Sequence, residues 1–389
     1  MSFKKILTKI LLLNTLLALT AFSVSPAVST KPTSEPELPF AKELQDTLDN
    51  GLKKYNGNGI SAAVIAPGYK AWVGVSGVSH GTTPIKPETL FDAGSITKNF
   101  VAALALQLVE EGLLALDDPL HKWLPDYPNI DNTITIRQLL NHTSGLYSLQ
   151  GPSAIRPILK DPGRLWTPKE VLTTLVGKPH FPKGKGWRYS NTGYILLGMI
   201  IEKATGSKIS TELRNRFWKP LGLDSIFFAV EEALPGNIAH GWIDLNGDKV
   251  LEDFSVFPRT ALHSLFKAAG GIFSTSEDLA KWTHALFHER RVVSKESLKQ
   301  MLAFHSPIAN PGLAGYGLGV QRFTPRIFNG LEMWGHGGNS PGYSAFIWYL
   351  PEYSVSIALI TNREQVDEFY LWLINDFLSV IKSNLKKVP

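Results

Sequence analysis

Apolar residues recur at helical spacing at Phe40, Leu44, Leu48, Leu52 and Tyr55 and stop at Gly57, which predicts an amphipathic helix. Ile60 to Ile65 and Ala71 to Val78 read as two strands joined by a Pro67-Gly68 turn. The far end repeats this in reverse. Ser344 to Tyr349 and Val355 to Thr361 read as strands around Pro351-Glu352, and Val366, Phe369, Leu373, Phe377 and Val380 give a last helix. Between the ends the pattern is helical and loop-rich, with helices expected over Thr97 to Leu113, Ile136 to Leu140, Pro168 to Val176, Thr192 to Ala204, Ser276 to Phe287 and Ser294 to Leu302. This predicts an α+β fold: an antiparallel sheet drawn from both chain ends, flanked by the terminal helices, with a mostly helical region inserted. The expected division is 39–94 plus 311–389 for the sheet region and 95–310 for the helical region, within one catalytic domain over 39–389 and with a cleft between the regions.

The first 29 residues break this texture. Lys4, Lys5 and Lys9 precede an apolar run from Ile10 to Val24 and then small residues, with cleavage points after Ala27 or Ser29. That order is a secretory signal peptide, and the run is shorter than the roughly 20 residues a spanning helix needs. A periplasmic or secreted protein is expected, with membrane attachment only through an uncleaved signal. Residues 30–38 are rich in Pro, Ser, Thr and Glu and read as a flexible leader.

Composition excludes more than it assigns. The chain has 389 residues, 44% hydrophobic and 19% charged, as an ordinary globular protein does. Its net charge of +5 falls to +2 without the three signal lysines, and no Lys/Arg block carries interleaved aromatics, so no nucleic-acid footprint is present. Without cysteine there is no disulfide, thiol nucleophile or thiolate metal site.

Three short patterns carry the candidate chemistry: Ser95-Ile-Thr-Lys98, Tyr189-Ser-Asn191 and His336-Gly-Gly338. Ser-x-x-Lys also occurs at Ser2, Ser264 and Ser379, but Ser2 lies in the export signal and the other two have no Tyr-x-Asn after them. A serine hydroxyl needs a nearby base to become a nucleophile. Residues i and i+3 share a helix face, so a helix starting near Ser95 sets the Lys98 amine over the Ser95 hydroxyl. For this the lysine must be close to neutral, which burial favours. Tyr189 offers a phenol for proton relay, if cations stabilise its phenolate, and Asn191 an amide for a substrate. His336 is followed by glycines that let a ligand approach the backbone of an edge strand, and its ring can donate or carry charge near neutral pH.

Other patterns are weaker. His284 and His288 have helical zinc-ligand spacing, but Ala285 stands where a metalloprotease needs a glutamate. Asp244 to Asp248 lacks the turn glycine and distal acid of a calcium loop and reads as a hairpin with an Asn246-Gly247 turn. No metal or cofactor is expected. Tyr147, Trp187 and Tyr316 are candidates for the cleft lining or for the core.

Phe91-Asp-Ala-Gly-Ser-Ile-Thr-Lys98, Leu139-Leu-Asn-His-Thr-Ser-Gly-Leu146, Tyr189-Ser-Asn-Thr-Gly-Tyr194, Ala269-Gly-Gly-Ile-Phe-Ser-Thr275 and Gly335-His-Gly-Gly-Asn-Ser-Pro-Gly-Tyr343 occur in one order. Together they resemble the serine β-lactamase and penicillin-recognising peptidase superfamily. The branch is that of class C β-lactamases, DD-carboxypeptidases, D-aminopeptidases and β-lactamase-like esterases, and the likeness runs from about Gly59 to Asn362. The resemblance implies a β-lactamase/transpeptidase-like fold, with Ser95 as acylated nucleophile, Lys98 as its activator and Tyr189 as proton shuttle. It further implies Asn191, His336 and Gly338 as substrate-binding residues, and the backbone N–H groups of Ser95 and Asn339 as oxyanion donors. Gln150 falls where class C enzymes place a side-chain contact. His336 replaces the lysine of β-lactamases, which points to DD-carboxypeptidases and D-aminopeptidases. The expected function is an exported serine hydrolase on D-amino-acid peptides of the peptidoglycan type. The alternatives are an esterase on small acyl esters, a weak β-lactamase or a non-catalytic peptide-binding protein, with oligomeric state left open.

Overall fold

The computed structural model describes residues 35–54, 57–305, 312–364 and 367–387, with backbone only at 152 and 367–372. The expected signal and leader residues 30–34, with Tyr55 and Val366, lie outside the described residues. Of the expected leader, Leu38 is buried and Lys70 pairs with Glu37, so those residues are held against the domain.

Thirteen strands are described, in chain order β1 Gly59–Ile65, β2 Trp72–His80, β3 Thr83–Pro84, β4 Phe91–Asp92, β5 Phe227–Phe228, β6 Trp242–Ile243, β7 Glu252–Asp253, β8 Ile272–Ser274, β9 Leu313–Tyr316, β10 Gln321–Phe323, β11 Met333–Ser340, β12 Tyr343–Leu350 and β13 Val355–Thr361. Eight form one sheet in the order β3-β2-β1-β13-β12-β11-β10-β9, and its paired neighbours are antiparallel. β1, from the beginning of the chain, therefore lies between β2 and β13, from its end. Both central strands read as nearly continuous apolar runs because both faces of the sheet are covered.

On one face Ile60, Ala62, Val64, Ile357 and Leu359 pack with Leu44 and Leu48 of the Ala41–Lys54 helix and Phe377 and Ile381 of the Asp367–Asn384 helix. On the other face Ala63, Ala358 and Ile360 join the core that contains the helical region. The Ser276–Phe287 helix packs there against β1 and β13, where the hydroxyls of Ser61 and Ser276 pair at 2.7 Å. That helix falls inside the expected helical region yet covers the sheet. Its polar seam explains the overlap, since Ser61 would otherwise be a buried unpaired hydroxyl.

The Thr97–Glu110 helix is central and buried nearly all round, including Phe100, Ala102, Ala103 and Ala105. Val101, Leu104 and Leu108 are thus only part of its buried surface. Gly94–Ile96 forms a 3-10 turn leading into it, and Ser95 lies in that turn rather than capping the helix through its side chain. β4, β8 and β5 form a small second sheet that fixes this entry: Ala93 N–H donates to Ile272 O at 2.9 Å, and Thr97 Oγ1 accepts from Ile272 N–H.

β11 is interior to the sheet, not an edge. Its pairing with β10 stops at Gly335, however, so from His336 onward only β12 flanks it. This local edge faces the turn of Ser95. No helix among the described residues is long and apolar enough to cross a membrane.

Candidate active site

Two glycines let the Ser95 turn press on β11. Gly94 has φ +49°, and a Cβ built there would lie 2.7 Å from Asn339 O, while one at Gly338 would lie 2.0 Å from Ala93 O. Backbone meets backbone at both places. Lys98, three residues along the helix, reaches back to put Nζ 3.0 Å from Ser95 Oγ and 2.6 Å from Ala269 O. Lys98 is fully buried, with Nζ 4.8 Å from the Tyr189 ring centroid and 5.5 Å from that of Tyr194. Burial holds its ammonium well below the usual lysine range. Once deprotonated, the amine has a lone pair free for the Ser95 proton.

Tyr189 is gripped from both sides by one residue. His142 O accepts Arg188 N–H at 3.0 Å and His142 Nδ1 accepts Ser190 N–H at 3.2 Å. Because Nδ1 accepts, the ring proton resides on Nε2, which is buried and has no hydrogen-bond partner. The His142 ring lies 4.3 Å from that of Tyr189, and its backbone is left-handed at φ +64°. Burial raises the Tyr189 phenol, an effect that Ser95 offsets only in part. Burial therefore favours the neutral phenol over the phenolate considered from sequence. Ser190, not Asn191, caps the Asn191–Thr205 helix. Asn191 donates Nδ2–H to Leu149 O at 2.7 Å and lines the cavity.

His336 takes a different place from the one its sequence suggests. It is fully buried, with Nε2 2.8 Å from Tyr316 Oη and Nδ1 2.6 Å from Gly337 O. A carbonyl only accepts, so Nδ1 carries the proton and Nε2 accepts from the Tyr316 hydroxyl. Burial, then Lys98, pushes the imidazole down to about 3. It is neutral between pH 5 and 8 and stands behind the site, while Gly337 and Asn339 line the cavity. Gly338 serves the approach to Ala93, and Gln150 is exposed on the cavity wall. Gln321 gave no sequence signal: it lines the cavity, and its Oε1 accepts Gly337 N–H at 2.7 Å just past the end of β10 pairing. His142 lay inside a quoted motif without an assigned part. Its position directly before Thr143-Ser144 says nothing of the distant segment it holds.

A family model described as Beta-lactamase matches residues 44–376. The chain belongs to the β-lactamase family. A D-stereospecific amidohydrolase from Streptomyces sp. is 31% identical with a TM-score of 0.74, over 89% of this chain and 98% of that one. A D-amino acid amidase from Ochrobactrum anthropi SV3 is 28% identical with a TM-score of 0.77, over 88% and 98%. Penicillin-binding protein 4* of Bacillus subtilis is 29% identical over 74% of this chain, but the match spans only 63% of that relative's length. The β-lactamase/transpeptidase-like fold and serine hydrolase chemistry follow from these matches.

The β-lactamase-family site opens into a cavity of about 1220 Å³, walled on its apolar sides by residues such as Ile155, Ile243, Phe254, Leu262 and Phe266. Its ionisable acidic and basic lining, among the described residues, is Arg156 against Asp244 and Glu364. No three metal-ligating side chains cluster among the described residues. His284 and His288 stack at 4.5 Å, and Asp244 accepts N–H groups of its own loop, around Gly247 at φ +83°.

Proposed function

We propose that this serine hydrolase cleaves amides and esters of D-amino acids whose leaving group is uncharged, in preference to peptides ending in a carboxylate. One observation carries the reading. Along β10 and β11, where the third motif lies, the lining offers Gln321, Gly337 and Asn339 and no fixed cation, while His336 is buried and neutral. The one guanidinium in the lining among the described residues, Arg156, is on the Pro152–Lys160 helix instead. A carboxylate leaving group or a β-lactam carboxylate would find no partner there, whereas an amide would lose nothing. The D-amino-acid preference is supported by the amidohydrolase and amidase named above.

In this reading Ser95 Oγ attacks the substrate carbonyl while neutral Lys98 takes its proton. The carbonyl oxygen becomes an oxyanion between the N–H groups of Ser95 and Asn339. As the C–N or C–O bond breaks, the proton passes from Lys98 through the Tyr189 phenol to the leaving group, giving an acyl-serine and a free amine or alcohol. Water then attacks the ester, yielding its proton along the same route, and the acid departs as Ser95 regains its hydrogen. Asn191 Oδ1 holds the substrate amide. We also propose export through residues 1–29, which N-terminal sequencing of the extracytoplasmic protein checks: a start at Val28 or Thr30 is expected and an intact Met1 overturns it.

The test is kcat/KM for D-Ala-D-Ala, its C-terminal amide, D-alaninamide and the L-enantiomers. Amidating the C-terminus is expected to raise kcat/KM by about tenfold or more, as removal of an unpaired buried charge should. Preference for the free acid, or for L-substrates, overturns the proposal.

A further inference from the structure

Asp92 is a buried carboxylate that the chemistry above leaves unused. It is 1% exposed, yet no lysine or arginine pairs with it among the described residues. Its Oδ1 accepts Gly94 N–H at 2.8 Å. Its Oδ2 accepts the Ser340 hydroxyl and lies 3.6 Å from Nε2 of His263, another buried group, which burial keeps below the usual histidine range. Gly94 is the residue before Ser95, and Ser340 the residue after Asn339. We infer that Asp92 is a positioning residue that ties the Ser95 turn to β11 and so fixes the spacing of the two oxyanion donors.

The physical case rests on what each group can do. A carboxylate is acceptor-only with two oxygens, so one oxygen serves each arm and neither arm can be released without leaving a lone pair dry. The backbones that it ties already touch, at Gly94 against Asn339 and Gly338 against Ala93. Contact alone sets a minimum separation. The tie supplies the matching restraint against opening, and donors for an oxyanion lose most of their value when displaced by about 1 Å. Burying a carboxylate for packing alone is unfavourable, since an apolar residue would fill the same space at lower cost.

The inference rests on the reading of Ser95 and Asn339 as oxyanion donors, so the test begins with wild type. A boronic acid should inhibit, and its tetrahedral adduct should map to Ser95; an adduct elsewhere would overturn that reading and the inference built on it, an outcome distinct from those of the variants below. Next, kcat, KM, boronate affinity and thermal unfolding are compared for Ser340→Ala, Ser340→Thr, Asp92→Asn and the double variant Asp92→Asn/Ser340→Ala. Ser340→Ala should lower kcat by about tenfold and weaken the boronate equally, with KM within about twofold and unfolding little changed. Ser340→Thr, which keeps the hydroxyl, should restore both. The double variant should be no worse than Asp92→Asn, because the two residues act as one tie. Wild-type kcat in Ser340→Ala, failure of the threonine to rescue, or fully additive losses would overturn the inference. Should Asp92→Asn not fold, the alanine and threonine arms still decide it.

Discussion

Lys98 is costly where it stands, and that cost is the source of its use. Its ammonium is buried against two aromatic rings and a carbonyl, and burial holds it well below 10.5. The unfolded chain therefore binds this proton at pH values where the folded one does not. Folding stability then falls as pH drops below 10.5 toward the folded value, and stays lowered beneath it. Replacing Lys98 with methionine, of similar length and without charge, should abolish turnover and raise the melting temperature at pH 7. The gain should shrink toward pH 10.5, where the unfolded wild-type lysine loses the proton that the folded one has already released. Calorimetry of both proteins across that range checks it, and an unchanged or lower melting temperature at pH 7 would mean that Lys98 is charged in the fold. For the same reason kcat/KM should decline on the acid side of the folded Lys98 value.

At the scale of elements, the loop from Asn141 to Leu149 does more than connect. His142 holds both neighbours of Tyr189, so the tyrosine is placed by a bracket across the chain rather than by its own segment. Asparagine tolerates the left-handed backbone at φ +64° and sets Oδ1 near the position of Nδ1, whereas alanine leaves Ser190 N–H without its partner. His142→Asn should therefore keep kcat within a few-fold, and His142→Ala should lower it by roughly ten- to hundredfold with KM little altered. Equal losses in both would point to ring packing instead. The same elements mark what the sequence could reveal. The Ser95–Lys98 spacing was legible because both residues are on one local turn, and the terminal strands and helices because their periods run for several residues. β4, β5 and β8, of two or three residues, have no period to read. His336 misled because a strand sends neighbours to opposite faces, and only the packed structure tells which face is covered. Gln321, Asp92 and His142 act on segments distant in sequence, a relation that no local pattern encodes.

Across the whole domain the sheet separates two cores. Leu48, fully buried in the Ala41–Lys54 helix, packs with Leu44 and Phe377 on the face away from the helical region. Phe100, equally buried, lies in the opposite core two residues beyond Lys98 and stacks on Trp282 at 4.0 Å. Truncating either to alanine removes a fully buried side chain, which costs about 2–5 kcal/mol. The consequences for the site should differ. β1 and β13 stand between Leu48 and Ser95, and their ladder is held on both sides, so a cavity at Leu48 can collapse without moving the Ser95 turn. A cavity at Phe100 lies on the helix that carries Lys98 itself. Leu48→Ala should thus lower the urea midpoint while the folded protein keeps its wild-type kcat, and Phe100→Ala should lower both. Because β1 joins the two ends of the chain in one ladder, unfolding of Leu48→Ala should be a single transition, with activity and tryptophan fluorescence lost at the same urea concentration. Activity that disappears from Leu48→Ala before fluorescence changes would mean that the sheet transmits strain to the site instead of isolating it.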